Sequence, residues 1–177
     1  QKDPDPRHVL TLVPAADGKP YLTDAEGEYW RLYEFVGGGV CLEAAANAED
    51  FYQSAVAFGR FQMLLSDFPA QTLHETITRF HDTPARFAAF RAAVDADVLG
   101  RRSGAQEEIA FALAREGEAG TLTDMLARGE LPLRVTHNDT KLNNVILDEK
   151  DHSPLCVIDL DTVMPGLVAN DFGDSIR

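Results

Sequence analysis

The chain has 177 residues, 45% of them apolar, enough to build one ordinary domain around a hydrophobic core. Sixteen basic residues against 29 acidic ones give a net charge of −13, which argues against a broad nucleic-acid-binding surface. No apolar run approaches the ~18 residues that span a bilayer, and the first residues carry no signal-peptide pattern. The two cysteines, Cys41 and Cys156, do not make a disulfide framework. They are expected as free thiols in a reducing compartment, and a cytoplasmic location is expected with them.

Residues 1–8, QKDPDPRH, are polar and broken by proline, and read as a tail or linker. VLTLVP (9–14) and EYWRLYEFV (28–36) are rich in β-branched and aromatic residues and flank the turn-rich AADGKPYLTDAEG. This pattern predicts a small antiparallel hairpin or meander. Gly37, Gly38 and Gly39 then read as a hinge or linker.

From Ala48 the period becomes helical. Phe51, Ala55, Phe58, Phe61 (or Gln62) and Leu65 share one stripe, expected to face the core, and Asn47 stands at the N-cap with Glu49 and Asp50 in the first turn. Pro69 ends this helix. Further helices are expected over roughly 84–98, 104–116 and 121–129, so the middle hundred residues are helical. His74 and His81 lie seven apart with no third ligand in sight, so a metal pair is not expected there.

NNVILD and LCVIDLD, joined by the turn-like EKDHSP, predict two short strands. TVMPGLVAN reads as loop and DFGDSIR as a helix start, with Asn170 and Asp171 placed to begin it. Before the first of these strands, His137, Asn138, Asp139, Lys141, Asn143 and Asn144 crowd into eight positions. Asp139 followed five residues later by Asn144 matches the kinase catalytic loop H-R-D-x-x-x-x-N, with Asn138 in the Arg position. Twenty residues beyond Asp139, Asp159 leaves the apolar run Leu155–Ile158, where a buried strand would aim it as a metal ligand. Alternation along an extended chain would put Asp159 and Asp161 on one face. Phosphoryl transfer from ATP needs this set: a carboxylate beside the attacking hydroxyl, and oxygen ligands that hold magnesium on the phosphates.

THNDTKLNNVILD, CVIDLDTVMPG and NDFGDSIR together resemble the aminoglycoside phosphotransferase superfamily of protein-kinase-like small-molecule kinases, and more narrowly the N-acetylhexosamine 1-kinases. EYWRLYEFV and RFHDT (79–83) resemble that group more weakly. The resemblance implies an α+β, protein-kinase-like fold. Residues 1–36 would be a remnant of the N-terminal β lobe with the hinge strand, and 37–177 the helical C-terminal catalytic lobe, truncated at its end. It implies Asp139 as catalytic base, Asn144 and Asp159 as magnesium ligands, and Asp161 as a second carboxylate that either faces the metal or supports its ligands from behind. His137 would brace the loop, and the main chain of Glu34 and Val36 would read the adenine of ATP. Asp-Phe-Gly at 171–173 spells the triplet that carries the metal ligand in protein kinases. In the similar small-molecule kinases an aspartate at this place instead hydrogen-bonds the catalytic-loop backbone, and that role is expected of Asp171.

One departure stands out: no glycine-rich loop precedes the hinge, and Lys2 and Lys19 are in the wrong context for the ATP-site lysine. The chain is therefore expected to be an incomplete kinase. The implied reaction is ATP- and magnesium-dependent phosphorylation of a small-molecule hydroxyl, foremost the anomeric hydroxyl of an N-acetylhexosamine. An aminoglycoside, choline, homoserine or another sugar stands as alternative acceptor, and a non-catalytic kinase-like binding domain as the alternative of another class. The expected partners are a nucleotide and a small-molecule substrate, with neither nucleic acid nor membrane.

Overall fold

The computed structural model describes residues 5–176. Residues 1–4 of the expected tail, with Lys2, lie outside the described residues, and Pro6–His8 form a single 3-10 turn capped by the side chain of Asp5.

The expected N-terminal hairpin is an irregular meander. Its regular strands are only β1 (Leu22–Thr23) and β2 (Tyr29–Trp30), antiparallel, with one bridge between Leu12 and Tyr33. Two turns interrupt the longer pairing. The second is held by Asp24, whose carboxylate accepts from the Glu26 and Glu28 amides and from Trp30 Nε1. The glycine stretch is no free linker: β3 (Gly39–Val40) pairs with the strand that leaves the polar loop. A side chain at Gly39 would overlap Cγ2 of Ile146, so glycine here makes room for that side chain.

The helix α1 (Ala48–Leu64) begins as expected, with Asn47 Oδ1 accepting from the Glu49 and Asp50 amides. Its buried face is rotated from the expected stripe. Phe51 and Ala55 are exposed, while Asp50, Ser54, Ala57 and Phe58 are buried. The tertiary partner decides this. Ala57 and Phe58 close on Val145 and Leu147, with Val40, Leu42 and Val157 around them, and each large side chain so buried contributes roughly 1.5–3 kcal/mol. Buried Asp50 is satisfied by the Ala46 amide (3.0 Å) and His152 Nδ1 (2.7 Å). The His152 bond, opposed by burial, holds its carboxyl below the ordinary value.

Three more helices follow: α2 (Thr83–Ala96), α3 (Gln106–Leu113) and α4 (Thr121–Ala127). All three are a little shorter than expected. Asp82 caps α2 by accepting from the Ala85 amide, and Asp97 stops it in the left-handed conformation.

The strand β4 (Arg134–Thr136) leads into the polar loop, and β5 (Val145–Asp148) leaves it. The pair β5 and β6 (Pro154–Val157) forms the expected antiparallel hairpin, with Val145 opposite Val157. Two parts of the C-terminal reading are corrected. The segment expected as loop contains β7 (Met164–Gly166), which pairs with β4. The last helix, α5 (Val168–Ser175), starts at Val168 with Leu167 as N-cap, which puts Asp171 inside its first turn rather than at its cap. The architecture is thus α+β: sheets β3-β5-β6 and β4-β7 hold the polar loop, with α1 and α5 packed against them.

Cys41 is exposed and Cys156 buried, and both are unpaired. Burial pushes the Cys156 thiol up to about 11, so it acts as core packing and not as a nucleophile. No helix among the described residues is long and apolar enough to cross a membrane.

Candidate active site

The loop from His137 to Asn144 is pinned from below by α5. Asp171, 3% exposed, accepts from the amides of His137 (3.0 Å) and Asn138 (2.8 Å) and from Gln62 Nε2 of α1 (2.8 Å). Asp174, three residues on and so on the same helix face, accepts from the Thr140 amide (2.7 Å). Thr140 Oγ1 returns a bond to the Asp171 carbonyl (2.6 Å). The bracing role expected of Asp171 is what the structure shows. Its carboxylate is consumed by the loop backbone.

His137 is fully buried, with the rings of Phe58 and Phe61 edge-on at 5.3 and 5.8 Å. Its Nδ1 accepts from the Asp139 amide (3.3 Å), so Nε2 carries the proton and donates to the Ile158 carbonyl (2.9 Å). Thr162 Oγ1 donates to the His137 carbonyl (2.6 Å). Asn138 sits at φ 67°, a left-handed position that asparagine tolerates well. Its side chain donates to the carbonyls of Thr136 and Thr162.

These bonds leave little room where β4 meets β7. A methyl at Gly166 would overlap Thr136 Oγ1 and lie 3.2 Å from Asn138 Oδ1. Gly166→Ala is therefore expected to destabilise the fold by about 1–3 kcal/mol, the usual cost of overpacking. Chemical denaturation compared with Gly173→Ala, where a methyl meets nothing within 4 Å, checks this.

Asp139 is held differently from Asp171. Its Oδ2 accepts from Asn144 Nδ2 (2.9 Å) and pairs with Lys141 Nζ (2.8 Å). Both bonds fall on one oxygen. Partial burial alone would raise the carboxyl, but the hydrogen bonds from Lys141 and Asn144 outweigh it and hold Asp139 below its ordinary value. Lys141 is raised in turn, first by its bond to Asp139 and further by the fields of Asp139, Asp159 and Asp174. This lysine was singled out by no spacing rule. Its position two residues after Asp139 was the only cue.

Asp159 is brought to the same place through its neighbour. The Ile158 amide donates to the Asn144 carbonyl (2.9 Å), and its carbonyl takes His137 Nε2. Ile158, the residue before Asp159, is thus clamped at both its amide and its carbonyl by the polar loop. Asp159 itself is at φ 58°, ψ 59°, followed by a 3-10 turn over Leu160–Thr162. The expected shared face of Asp159 and Asp161 is therefore not formed, because alternation requires an extended chain. Asp161 is turned to solvent and ion-paired with Arg31.

Around the loop the donors are all oxygen: the carboxylates of Asp139 and Asp159 and the amide oxygen of Asn144. That set fits magnesium, which takes one or two carboxylates and completes its octahedron with phosphate and water. Among the described residues no three His, Cys, Asp or Glu side chains converge on one point.

The segment expected as hinge shares a cleft with Pro6, Arg7, Val9 and Thr11. The Glu34 amide donates to the Thr11 carbonyl (2.9 Å). Phe35 is exposed, Val36 is half-buried, and β3 directly after them lies on β5.

A buried His-Asn-Asp loop, braced from a helix aspartate and continued into a strand pair, is the core of a kinase-like phosphotransferase fold. The chain belongs to the phosphotransferase enzyme family (APH), whose model matches residues 7–177. Among solved structures it is similar to the microcompartment-associated aminopropanol kinase, with a TM-score of 0.53 at 19% sequence identity. The match covers 96% of this chain and 52% of that one, so the chain spans about half the length of that kinase.

Proposed function

We propose that the protein transfers the γ-phosphoryl group of ATP to a hydroxyl of a small molecule, foremost the anomeric hydroxyl of N-acetylglucosamine or N-acetylgalactosamine. The observation that carries the reading is the division of labour at Asp139. One carboxylate oxygen is fixed by Asn144 and Lys141, and the other is left for an acceptor hydroxyl. Asp139 orients the hydroxyl and takes its proton as the new P–O bond forms and the bond from the γ-phosphorus to the β,γ-bridging oxygen breaks, releasing ADP. Asn144 and Asp159 would hold magnesium, which supplies charge neutralisation on the phosphates. Lys141 is close enough to Asp139 to hold a phosphate oxygen in line with the base. Asp161, which faces solvent beside Arg31, is left out of this proposed ligand set. The main chain of Glu34 and Val36 reads the adenine edge.

The N-acetylhexosamine acceptor rests on the likeness of HNDTKLNN and VIDLDTVMPG to that group of kinases. An amino alcohol is the second reading, favoured by the similar aminopropanol kinase fold. Magnesium-dependent ADP release by the enzyme that contains this chain, across N-acetylhexosamines, other sugars, amino alcohols and aminoglycosides, separates the two. The expected result is turnover with an N-acetylhexosamine and a sugar 1-phosphate seen by phosphorus NMR. Turnover with amines alone would overturn the sugar reading.

A further inference from the structure

The turn that begins at Asp159 is held from two sides. On the inner side Thr162 ties it to the polar loop: its hydroxyl donates to the His137 carbonyl (2.6 Å), and its carbonyl accepts from Asn138 Nδ2 (2.9 Å). On the outer side Asp161 meets Arg31, which lies 130 residues earlier in the chain.

Arg31 belongs to a stretch that is itself tied down. The Val13 amide donates to the Leu32 carbonyl (2.8 Å), Leu12 bridges to Tyr33, and the Glu34 amide donates to the Thr11 carbonyl (2.9 Å). The Arg31 guanidinium lies 5.9 Å from the centre of the Tyr33 ring, within cation–π range. Ring and carboxylate together fix where the guanidinium sits. One residue beyond Tyr33 the same stretch becomes Glu34–Val36. Both partners of the ion pair are well exposed, 46% for Arg31 and 65% for Asp161, and such a pair adds little to the stability of a fold. Its effect therefore has to be sought in what it joins.

We propose that Arg31 is a positioning residue: through Asp161 it holds the Asp159 turn at the distance from the 34–36 segment that a magnesium nucleotide spans. The inference rests on the reading of the protein as a magnesium- and ATP-dependent kinase, with adenine at Glu34 and Val36 and the metal at Asp159. A magnesium nucleotide engages both segments at once, adenine at one end and metal-bound phosphate at the other. The ligand fixes the span between its ends, so the protein must hold the two segments at a matching separation. A link present before binding lowers the ordering cost that binding would otherwise carry. Arg31 acts here through Asp161 and touches neither metal nor phosphate. The ion pair also keeps the Asp161 carboxylate on the outer side of the turn, beside a cation.

Calorimetric binding of ADP to the enzyme that contains this chain, with magnesium and again in EDTA, tests this without requiring turnover. With magnesium, Arg31→Ala and Asp161→Ala should each weaken binding about threefold to fivefold, the scale of a solvent-exposed ion pair. In EDTA neither should change it, because the ligand then bridges nothing to Asp159. The double variant should be no weaker than either single one. The exchange Arg31→Asp with Asp161→Arg should recover part of the loss. Melting temperatures should stay within about 2 °C of the parent throughout. Unchanged magnesium–ADP binding in Arg31→Ala, or additive losses in the double variant, would overturn the role. Weakening by Asp161→Ala alone would put Asp161 on the metal, and weakening by Arg31→Ala in EDTA would put Arg31 on the phosphates; either result overturns it too. A parent enzyme that binds no ADP with magnesium would sink the kinase reading and this inference together. A parent that binds it regardless of the pair would sink the inference alone.

Discussion

Asp139→Asn is expected to lower kcat by about two to four orders of magnitude, the scale on which removal of a general base acts. Nucleotide affinity and melting temperature should hardly move. The carboxylate is partly exposed, and its ion pair with Lys141 is the kind of solvent-facing contact worth about 0–1 kcal/mol. An amide of the same shape keeps an oxygen for Asn144. What disappears is the charge proposed to orient the acceptor hydroxyl and receive its proton. Because Lys141 and Asn144 hold the carboxyl below its ordinary value, Asp139 is ionised throughout the neutral range. The acid limb of kcat/KM that belongs to this residue should accordingly lie below the usual carboxylate range in the parent enzyme and vanish in the variant. Steady-state turnover with nucleotide binding measured in parallel provides the check. Near-normal kcat in Asp139→Asn would reduce the residue to a turn former.

The parts of this molecule governed by local rules were legible in the sequence. Asn47 caps α1 as its type and place imply, and the hairpin β5–β6 follows from two β-rich runs around a turn. The 3.6-residue period located α1 but not its buried side. That choice belongs to Val145 and Leu147, about ninety residues further along the chain. β4 and β7 were missed because each is three residues long, and β7 contains Pro165 and Gly166, which read as loop until a partner strand is known. At the site, the Asp139–Asn144 spacing was readable because it is local. The Asp159–Asp161 face was misread because the alternating pattern runs through Asp159 while the backbone does not: it turns left-handed there. The Arg31–Asp161 pair joins segments 130 residues apart and left no trace in either. The hold of Asp171 on the loop could be anticipated only from the resemblance, since its own neighbourhood reads equally well as a helix cap.

The two aspartates that compete for the metal's place, Asp159 and Asp171, should fail in opposite ways. Asp171→Ala removes a buried carboxylate and strands the amides of His137 and Asn138 and the Gln62 side chain. Leaving these three donors unmet, at about 1–3 kcal/mol for each buried group, costs roughly 3–5 kcal/mol once part of the strain relaxes. At about 2–4 °C per kcal/mol for a chain of this size, that is a loss of roughly 6–20 °C in melting temperature. Activity falls as a consequence, because the loop that carries Asp139 is no longer held. For Asp159 the informative change is to asparagine rather than alanine, because φ 58° is a position where asparagine is at ease and a plain side chain is not. Asp159→Asn keeps the backbone and removes the charge. Its melting temperature should stay within about 2 °C of the parent, a shift no larger than a surface substitution gives. Its magnesium-dependent turnover should drop by roughly two to four orders of magnitude, since charge stabilisation by a bound metal is worth several kcal/mol. Raising the magnesium concentration should recover part of the loss in Asp159→Asn and none of it in Asp171→Ala. Melting curves and magnesium titrations on the two variants decide the assignment. A normal magnesium response in Asp159→Asn, or magnesium bound at Asp171, would reverse it.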